Sequence, residues 1–297
     1  IGSSWYSSKW FFSFVIKKLK TFPEQKQDLP GNEYQMIPEP EIIKENYIGS
    51  RKLLGKVAFI TGGDSGIGRS VAVHYAREGA NIAIVYLQED KDALYTKELV
   101  EKEGQECLII SGDLKLEKFC KAAIKKCITR FKKINIVVNN AAVQFPEKEL
   151  EKITATHLQK TFETNIYSFF YVTKAALPFL NPNDSIINTS SVTAYRGSDH
   201  LVDYASTKGA IVSFTRSLST MLAKKQIRVN GIAPGPIWTP LIVATFDTLS
   251  EFGKDNPMGR AGQPSEVAPA YVFLASEDSS YITGQFIHIN GGEIVGG

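Results

Sequence analysis

The 297-residue chain has few cysteines, few histidines and little net charge. Its three cysteines and four histidines show neither metal-ligand nor disulfide-framework spacing. The net charge is +3 with the lysines dispersed, so no basic patch of the kind that binds nucleic acid is visible. We therefore expect no metal and no nucleic-acid partner. Cys107, Cys120 and Cys127 are expected to be buried free thiols in a reducing, cytoplasmic compartment.

Long hydrophobic runs are also missing. The most apolar stretch near the start, residues 10–16, is far shorter than the roughly 20 residues that span a bilayer. Lysines follow it in place of the small-residue cleavage site of a signal peptide. A loosely ordered or partner-packed arm is the favoured interpretation of residues 1–20, and a helix lying on a membrane surface is the alternative.

Residues 21–50 are rich in polar side chains and contain four prolines that block any long helix. We interpret residues 1–51 as an arm, whose Pro-rich part lies over the domain or over a neighbouring subunit. No break in composition divides residues 52–297, so we assign them to one domain.

Within that domain, apolar runs of strand length alternate with amphipathic segments of helix length. This alternation predicts a single-domain α/β fold of the Rossmann type, a doubly wound parallel sheet of about seven strands with helices on both faces. The predicted strands are 57–61, 81–86, 107–110, 134–138, 185–188, 228–232 and 285–289. The predicted helices are 66–78, 93–103, 116–131, 155–177 and one that carries Tyr204 and ends near 224.

A glycine-rich turn, Thr61-Gly-Gly-Asp-Ser-Gly-Ile-Gly68, follows the first predicted strand. Gly62 allows the chain to reverse, Gly66 allows the backbone to approach a phosphate, and Gly68 allows the helix to pack close to the sheet. A turn between a strand and a helix can hold a pyrophosphate at the helix N-terminus. The spacing alone is a weak signal, and an ordinary tight turn is the alternative.

Polar residues also follow the third and fourth predicted strands. Asn139 can tie the end of the fourth strand to its neighbours and leave the small Ala141 and Ala142 beside a flat ligand, and an ordinary polar turn is the alternative. Asp113 can bond an adenine amino group, and a simple helix cap is the alternative.

The most informative feature is Tyr204 followed by Lys208, four residues apart and therefore on one face of a helix. A phenol with its ordinary pKa near about 10 transfers protons poorly at neutral pH, and a nearby ammonium lowers that pKa. Ser191, after the fifth predicted strand, can hold a substrate oxygen. This group predicts proton transfer by Tyr204 beside a bound nucleotide.

In this order, the motifs resemble the classical short-chain dehydrogenase/reductase family over residues 52–297. More narrowly, the chain is similar to a bacterial subgroup labelled general-stress oxidoreductases or relatives of glucose and ribitol dehydrogenases. The resemblance implies an NAD(P)-dependent alcohol dehydrogenase or carbonyl reductase that is a homotetramer. Its small-molecule substrate would be an alcohol or a carbonyl compound.

The resemblance also implies roles for individual residues. Tyr204 is the general acid/base, Lys208 lowers its pKa and bonds the nicotinamide ribose, Ser191 positions the substrate, and Asn165 holds a water that relays protons. The family's Asn-Asn-Ala-Gly element ends in Ala142 here. The implied cofactor-binding residues are Gly62, Asp64, Ser65, Gly66, Ile67, Gly68, Tyr86, Leu87, Asp113, Leu114, Asn139, Ala141, Tyr204, Lys208, Pro234, Gly235, Ile237 and Thr239.

We expect NAD rather than NADP as the cofactor. Asp64 and Glu89 would repel a 2'-phosphate, and no basic residue follows the second strand until Lys91. Arg69 is the alternative that could reach around and bind that phosphate.

Residues 237–263 are predicted to form a lid over the substrate. Trp238, Phe246, Phe252 and Met258 would give it an apolar lining, and a packed surface excursion is the alternative. Two other functions remain open at this point. One is a nucleotide-binding scaffold or redox sensor without turnover, against which the intact Ser, Tyr, Lys and Asn argue. The other is a membrane-tethered enzyme, which rests only on residues 10–16.

Overall fold

The computed structural model describes residues 21–295 of the chain. All seven predicted strands form, and they pair in parallel in the order β3-β2-β1-β4-β5-β6-β7. They are β1 (Val57–Thr61), β2 (Asn81–Tyr86), β3 (Cys107–Ser111), β4 (Ile136–Asn139), β5 (Ser185–Thr189), β6 (Arg228–Pro234) and β7 (Phe286–Ile289). The predicted doubly wound parallel sheet is therefore confirmed.

Helices cover both faces of this sheet. They are α1 (Gly66–Arg77), α2 (Asp90–Lys102), α3 (Glu117–Phe131), α4 (Ala155–Phe162), α5 (Ser168–Ala176), α6 (Thr193–Arg196), α7 (Val202–Leu222), α8 (Pro240–Thr245) and α9 (Pro264–Ala275). Side chains of α1, α2 and α9 share one apolar core with one face of the sheet. Side chains of α3, α5 and α7 share a second core with the other face.

The helix predicted over 155–177 is not continuous. A π-helical turn, Glu163–Tyr167, separates α4 from α5, and a short 3₁₀ turn, Leu177–Phe179, follows α5 with Pro178 near its start. π-turns inside helices are rare and frequently occur at functional sites. Asn165 lies in this turn.

The Pro-rich part of the arm lies over residues 237–263. The Phe22 ring stacks on Trp238 with centroids 3.7 Å apart, and the Trp238 indole donates to the carbonyl of Pro38 at 2.9 Å. Met36 joins Trp238 in a small separate core, completed by Val243, Leu249 and the partly buried Phe22, Ile242, Phe246 and Phe252. The arm thus contacts the same chain.

The three cysteines are free and buried, as predicted. Burial raises the pKa of each thiol to about 12. In residues 21–295, no helix combines the length and the apolar character needed to cross a membrane. The apolar run at 10–16, on which the membrane alternative rests, lies outside the described residues.

Candidate active site

A crevice opens at the carboxyl ends of the strands, where β1 and β4 lie side by side. The chain runs outward from β1 to β3 and returns to β4, which is the point where open α/β sheets bind ligands. The cavity has a volume of about 410 Å³. Its walls come from the glycine turn, the loops after β2 to β6, α7 and α8.

Most of the predicted site residues line this one crevice. They are Gly62, Asp64, Ser65, Gly66, Ile67, Tyr86, Leu87, Asp113, Leu114, Ala141, Ser191, Tyr204, Lys208, Pro234, Gly235, Ile237 and Thr239. Gly68, Asn139 and Asn165 are not among the lining residues, because each is occupied in packing or hydrogen bonding behind the crevice wall.

The glycine turn has the geometry that its spacing predicts. Gly62 and Gly66 have φ values of +61° and +52°, which favour glycine. A Cβ added to Gly68 would lie 1.8 Å from the carbonyl oxygen of Gly62, so only glycine lets α1 pack this closely. After Gly66, whose N–H donates to Glu33, the next N–H groups of α1 have no partners within the helix. The turn therefore fits a pyrophosphate group.

The two adjacent asparagines at the end of β4 make different contacts. Asn139 is buried, and its amide donates to Thr173 Oγ1 at 3.1 Å and to Asn188 Oδ1 at 2.9 Å, which ties β4 to β5. Asn140 instead lines the crevice and donates to the carbonyl of Gly62 at 3.1 Å. The predicted tie by Asn139 is confirmed, whereas its place in the cofactor site stays a prediction, because Asn139 does not itself line the crevice.

The end of the crevice beside β2 and β3 is acidic. Burial raises the pKa of Asp64 to about 6, and the neighbouring Glu89 carboxyl acts in the same direction. Burial also raises the pKa of Glu89. Lys115 lines this end as well, but its ammonium lies 3.3 Å from Asp113.

The alternative assigned to Arg69 is wrong. Its guanidinium is buried and bonded to Glu33 and Asp92, on the side of the turn that faces away from the crevice. It is therefore not available to a 2'-phosphate.

Ser191, Tyr204 and Lys208 meet at the other end of the crevice. The Lys208 ammonium lies 5.2 Å from the Tyr204 ring centroid and donates to the carbonyl of Thr189 at 2.9 Å. The Ser191 hydroxyl lies beside the Tyr204 side chain and accepts from Thr193 Oγ1 at 3.0 Å. Ser190 instead donates to the Lys208 carbonyl at 2.9 Å, which anchors α7 to β5. Ser191, rather than Ser190, therefore faces the phenol.

The charge state of this pair differs from the expectation. Burial raises the pKa of Tyr204 to about 12, and the Ser191 side chain opposes that rise. Burial lowers the pKa of Lys208 to about 7. Desolvation thus outweighs the attraction between ammonium and phenolate, because it disfavours the charged form of both groups. The predicted lowering of the Tyr204 pKa by Lys208 is therefore not found.

The lowered pKa of Lys208 makes the stability of the fold depend on pH. The native chain binds the Lys208 proton less tightly than the unfolded chain does. Burial of protonated Lys208 therefore lowers the free energy of unfolding by its full amount below about pH 7. This destabilisation decreases as the pH rises and is lost at about pH 10.5. Lys208→Met should therefore raise Tm relative to wild type by more at pH 7 than at pH 10. Thermal melts across this range measure the difference. The same exchange at the exposed Lys118 should give a difference that does not vary with pH, and a pH-independent difference at Lys208 would contradict the account.

Asn165 connects the π-turn to the crevice wall. Its amide accepts from the Val143 N–H at 2.8 Å and donates to the Val143 carbonyl at 2.9 Å and to Thr207 Oγ1 at 3.1 Å. These bonds hold the loop after β4 against α7. The structure thus gives its side chain a positioning role, and the proton relay through a water stays a prediction.

The substrate end contains residues that sequence reasoning missed. Gln144, Lys160 and Thr164 line it together with Leu241 and Ile242 of α8. Gln144 donates to Thr245 Oγ1 at 2.8 Å, so α8 is held across the crevice. The only sequence signal for Gln144 is its position just after the Asn-Asn-Ala-Ala element.

The predicted apolar lining of the lid is wrong. Trp238, Phe246 and Phe252 pack with the arm in the separate small core, and Met258 is exposed. Only Ile237, Thr239 and the start of α8 turn toward the crevice. Closure of this segment stays a prediction.

Among residues 21–295, no three His, Cys, Asp or Glu side chains come together as ligands of a metal ion would.

Known proteins resemble this chain in both sequence and fold. Residues 62–293 match the family model described as enoyl-(acyl carrier protein) reductase. A solved short-chain dehydrogenase/reductase from Serratia marcescens, in a doubly substituted form, superposes with a TM-score of 0.77 at 30% identity. The superposition covers 81% of this chain and 98% of that one. The chain belongs to the short-chain dehydrogenase/reductase family.

Among members of this family, General stress protein 39 of Bacillus subtilis is 53% identical over 93% of this chain and 98% of its own length. Glucose and ribitol dehydrogenase of Daucus carota is 48% identical, with the same coverage of both chains. NADPH-dependent aldehyde reductase 1 of Arabidopsis thaliana is 49% identical over 92% of this chain and 98% of its own length. The predicted resemblance to the general-stress and glucose/ribitol dehydrogenase group is confirmed.

The structure of 3-ketoacyl-(acyl-carrier-protein) reductase from Brucella melitensis was solved in complex with NADH. It superposes on this short-chain dehydrogenase/reductase with a TM-score of 0.75 at 30% identity, covering 81% of this chain and 98% of that one.

Proposed function

We propose that this protein transfers a hydride between a nicotinamide dinucleotide and a small alcohol or carbonyl compound. The observation that carries this proposal is the meeting, in one crevice, of a glycine turn and a proton-transferring group. Gly62 and Gly66 lie at one end, and Ser191, Tyr204 and Lys208 lie at the other. A catalytically silent nucleotide-binding protein would need only the first of these.

Each side chain has a defined task in carbonyl reduction. The bound nicotinamide supplies the hydride, which goes to the carbonyl carbon. Tyr204 donates its hydroxyl proton to the carbonyl oxygen, and Ser191 holds that oxygen by a hydrogen bond. Hydride and proton together give the alcohol, and Tyr204 is left as a phenolate that regains a proton from solvent. In alcohol oxidation the same groups act in reverse.

Lys208 would tune Tyr204 only in the loaded site. Negative charge in the crevice favours the protonated form of Lys208, whose pKa of about 7 lies close to the working pH. The resulting ammonium, 5.2 Å from the phenol ring centroid, then lowers the Tyr204 pKa from its raised value of about 12.

We propose a preference for NAD(H), although one relative is named as NADPH-dependent. The support is local: Asp64, Glu89 and Asp113 surround the adenosine end, and Arg69 is engaged elsewhere. A 2'-phosphate there would meet two or three carboxyl groups. We expect kcat/KM to be at least about tenfold higher with NADH than with NADPH, which corresponds to roughly 1.4 kcal/mol. Initial rates with each cofactor at a fixed aldehyde concentration measure this ratio, and a ratio that favours NADPH would overturn the preference.

The substrate end supports a small substrate with both polar and apolar parts. Leu241 and Ile242 offer apolar contacts, whereas Gln144, Thr164 and Lys160 offer hydrogen bonds. A panel of short aldehydes, ketones, polyols and sugars, followed by the absorbance of reduced nicotinamide, tests the proposed activity. Turnover of none of them, in either direction and with either cofactor, would count against the enzymatic proposal.

We also propose that the protein assembles as a homotetramer. Several large apolar side chains on α4, α5, α7 and the segments between them are exposed in the single chain, namely Leu158, Tyr167, Phe170, Phe179 and Met221. Such exposed apolar surface is typical of subunit contacts. Sedimentation of the full chain gives its mass in solution directly. The cytoplasmic location stays a prediction.

A further inference from the structure

The arm places a buried carboxylate directly behind the glycine turn. The Gly66 N–H donates to Glu33 Oε2, and Arg69 Nη1 donates to Glu33 Oε1. Glu33 itself is held by its own N–H, which donates to Asp92 Oδ2 at 2.8 Å. Only 2% of Glu33 is exposed, so these contacts exclude solvent.

Arg69 extends this contact to a second point of the turn. Its Nε donates to the carbonyl of Asp64 and to Thr96 Oγ1, both at 2.9 Å. Its Nη2 donates to Asp92 Oδ1 at 2.9 Å. The turn is thus fixed at the Asp64 carbonyl and at the Gly66 N–H, and Glu33 is the group that joins the two.

Stability alone is a poor explanation for this cluster. Burying two carboxylates and a guanidinium costs several kcal/mol of solvation per ion, and apolar side chains of similar volume often stabilise a fold at least as well. Burial raises the pKa of Glu33 to about 7, although Arg69 and the Gly66 N–H both act to lower it. The charged cluster forms directional hydrogen bonds to the turn, which apolar side chains could not form.

The arm also reaches the crevice just before Glu33. Pro30 is one of the crevice-lining residues. The next residue, Gly31, has φ of +88°, and a Cβ there would lie 2.8 Å from the carbonyl oxygen of Pro240 at the start of α8. The arm therefore passes between the glycine turn and α8, in contact with both.

We propose that Glu33 is a positioning residue for the dinucleotide, which fixes the Asp64–Gly66 backbone from the side that faces away from the crevice. This inference rests on the proposed function, because it concerns the affinity of the same cofactor. Glu33 does not line the crevice, so it acts through Gly66 and Arg69. When the turn is already ordered, binding of the dinucleotide does not include the free-energy cost of ordering the turn.

The position of Glu33 predicts which binding and kinetic constants its loss would change. Tyr204 and Lys208 stand at the opposite end of the crevice, and Glu33 does not touch them. Loss of Glu33 should therefore raise the Kd of the dinucleotide and leave kcat at saturating cofactor nearly unchanged. ADP, which has the adenosine and pyrophosphate but no nicotinamide, should lose affinity by the same factor as NADH.

The test compares Glu33→Ala, Glu33→Gln and Glu41→Ala with wild type. Glu41 is an arm carboxylate that accepts from Ser265 at the start of α9 and, among the described residues, shares no hydrogen bond with the turn, so it serves as a control. Fluorescence titration gives the Kd of NADH, competition gives that of ADP, and steady-state rates give kcat. For Glu33→Ala we expect both Kd values to rise by at least about tenfold, the loss of one charged hydrogen bond of about 1.5 kcal/mol. The Glu41→Ala values should stay within about twofold of wild type.

Glu33→Gln keeps the size of the side chain and one acceptor oxygen, so it separates positioning from folding. It should retain the wild-type Tm within a few degrees and raise both Kd values by an intermediate factor. If both Glu33 variants bind NADH and ADP as wild type does, the inference is wrong. It is equally wrong if kcat at saturation falls in parallel with the affinity. If wild type itself binds no nicotinamide dinucleotide, the proposed function fails, and this inference fails with it.

Discussion

Replacing Tyr204 by phenylalanine should lower kcat by about a thousandfold while the Kd of the dinucleotide stays within about twofold. The exchange removes only the phenolic hydroxyl, and the ring that forms the crevice wall remains. General acid/base groups contribute roughly 10²–10⁴-fold to rate, and the exchange removes the group to which we assign the proton transfer. Single-turnover rates with saturating reduced cofactor measure the chemical step.

Tyr195 provides the matched control. It lies in α6, its hydroxyl is buried without a hydrogen-bond partner in the described part of the chain, and it does not line the crevice. Tyr195→Phe removes the same atom a short distance away and should leave kcat within about twofold of wild type. A Tyr204→Phe variant that kept a tenth or more of the wild-type rate would show that the proton comes from another group.

Gly68→Ala should abolish dinucleotide binding and lower Tm. The added Cβ would lie 1.8 Å from the carbonyl oxygen of Gly62 and 2.9 Å from the Asn140 amide nitrogen. Neither the backbone nor the bonded amide can yield, so α1 must move away from the sheet and the turn must distort. Overpacking of this kind typically costs about 1–3 kcal/mol of stability or more. We expect the Kd of NADH to rise at least about a hundredfold, which equilibrium titration and thermal melts will test.

Gly209→Ala is the contrasting substitution. Gly209 lies within α7, and no atom of residues 21–295 stands within 4 Å of the position that its Cβ would take. Alanine is favoured over glycine inside a helix by up to about 1 kcal/mol, so this variant should be as stable as wild type or more stable. A Gly68→Ala variant with wild-type affinity would mean that the turn does not hold the cofactor.

The fold could be predicted from the sequence because parallel strands that are buried on both faces are continuously apolar. Val57–Thr61 and Asn81–Tyr86 show this directly, and the helices between them follow from the need for crossovers. The break in the helix around Asn165 could not be predicted in this way. An amphipathic pattern with a period of 3.6 residues does not report a π-turn, which here accompanies the hydrogen bonds of Asn165 to Val143.

The proximity of Tyr204 and Lys208 was predictable for a local reason, since they lie one turn apart on a single helix. Their pKa values were not predictable, because burial depends on the whole crevice and outweighs the attraction between the two groups. Contacts between residues far apart in the sequence could not be predicted either. Nothing in the sequence near Arg69 indicates that Glu33, 36 residues earlier, binds it.

The contacts of the aromatic residues in 237–263 could not be predicted from the sequence either. Their apolar character was correctly recognised, but apolar side chains pack against whichever surface is nearest. For Trp238 that surface is the arm, through Phe22 and Met36, and not a substrate. Composition alone could not choose between the two.

The central claim is that the protein moves a hydride between nicotinamide and carbon in the Tyr204 crevice. The most direct measurement uses two samples of NADH, deuterated at C4 on one face or on the other, together with an aldehyde that the wild-type protein reduces. Mass spectrometry of the alcohol should find one deuterium on the former carbonyl carbon for each NADH oxidised with one of the two samples, and none with the other. Oxidation of NADH with no label in the alcohol from either sample, or equal transfer from both, would contradict the claim.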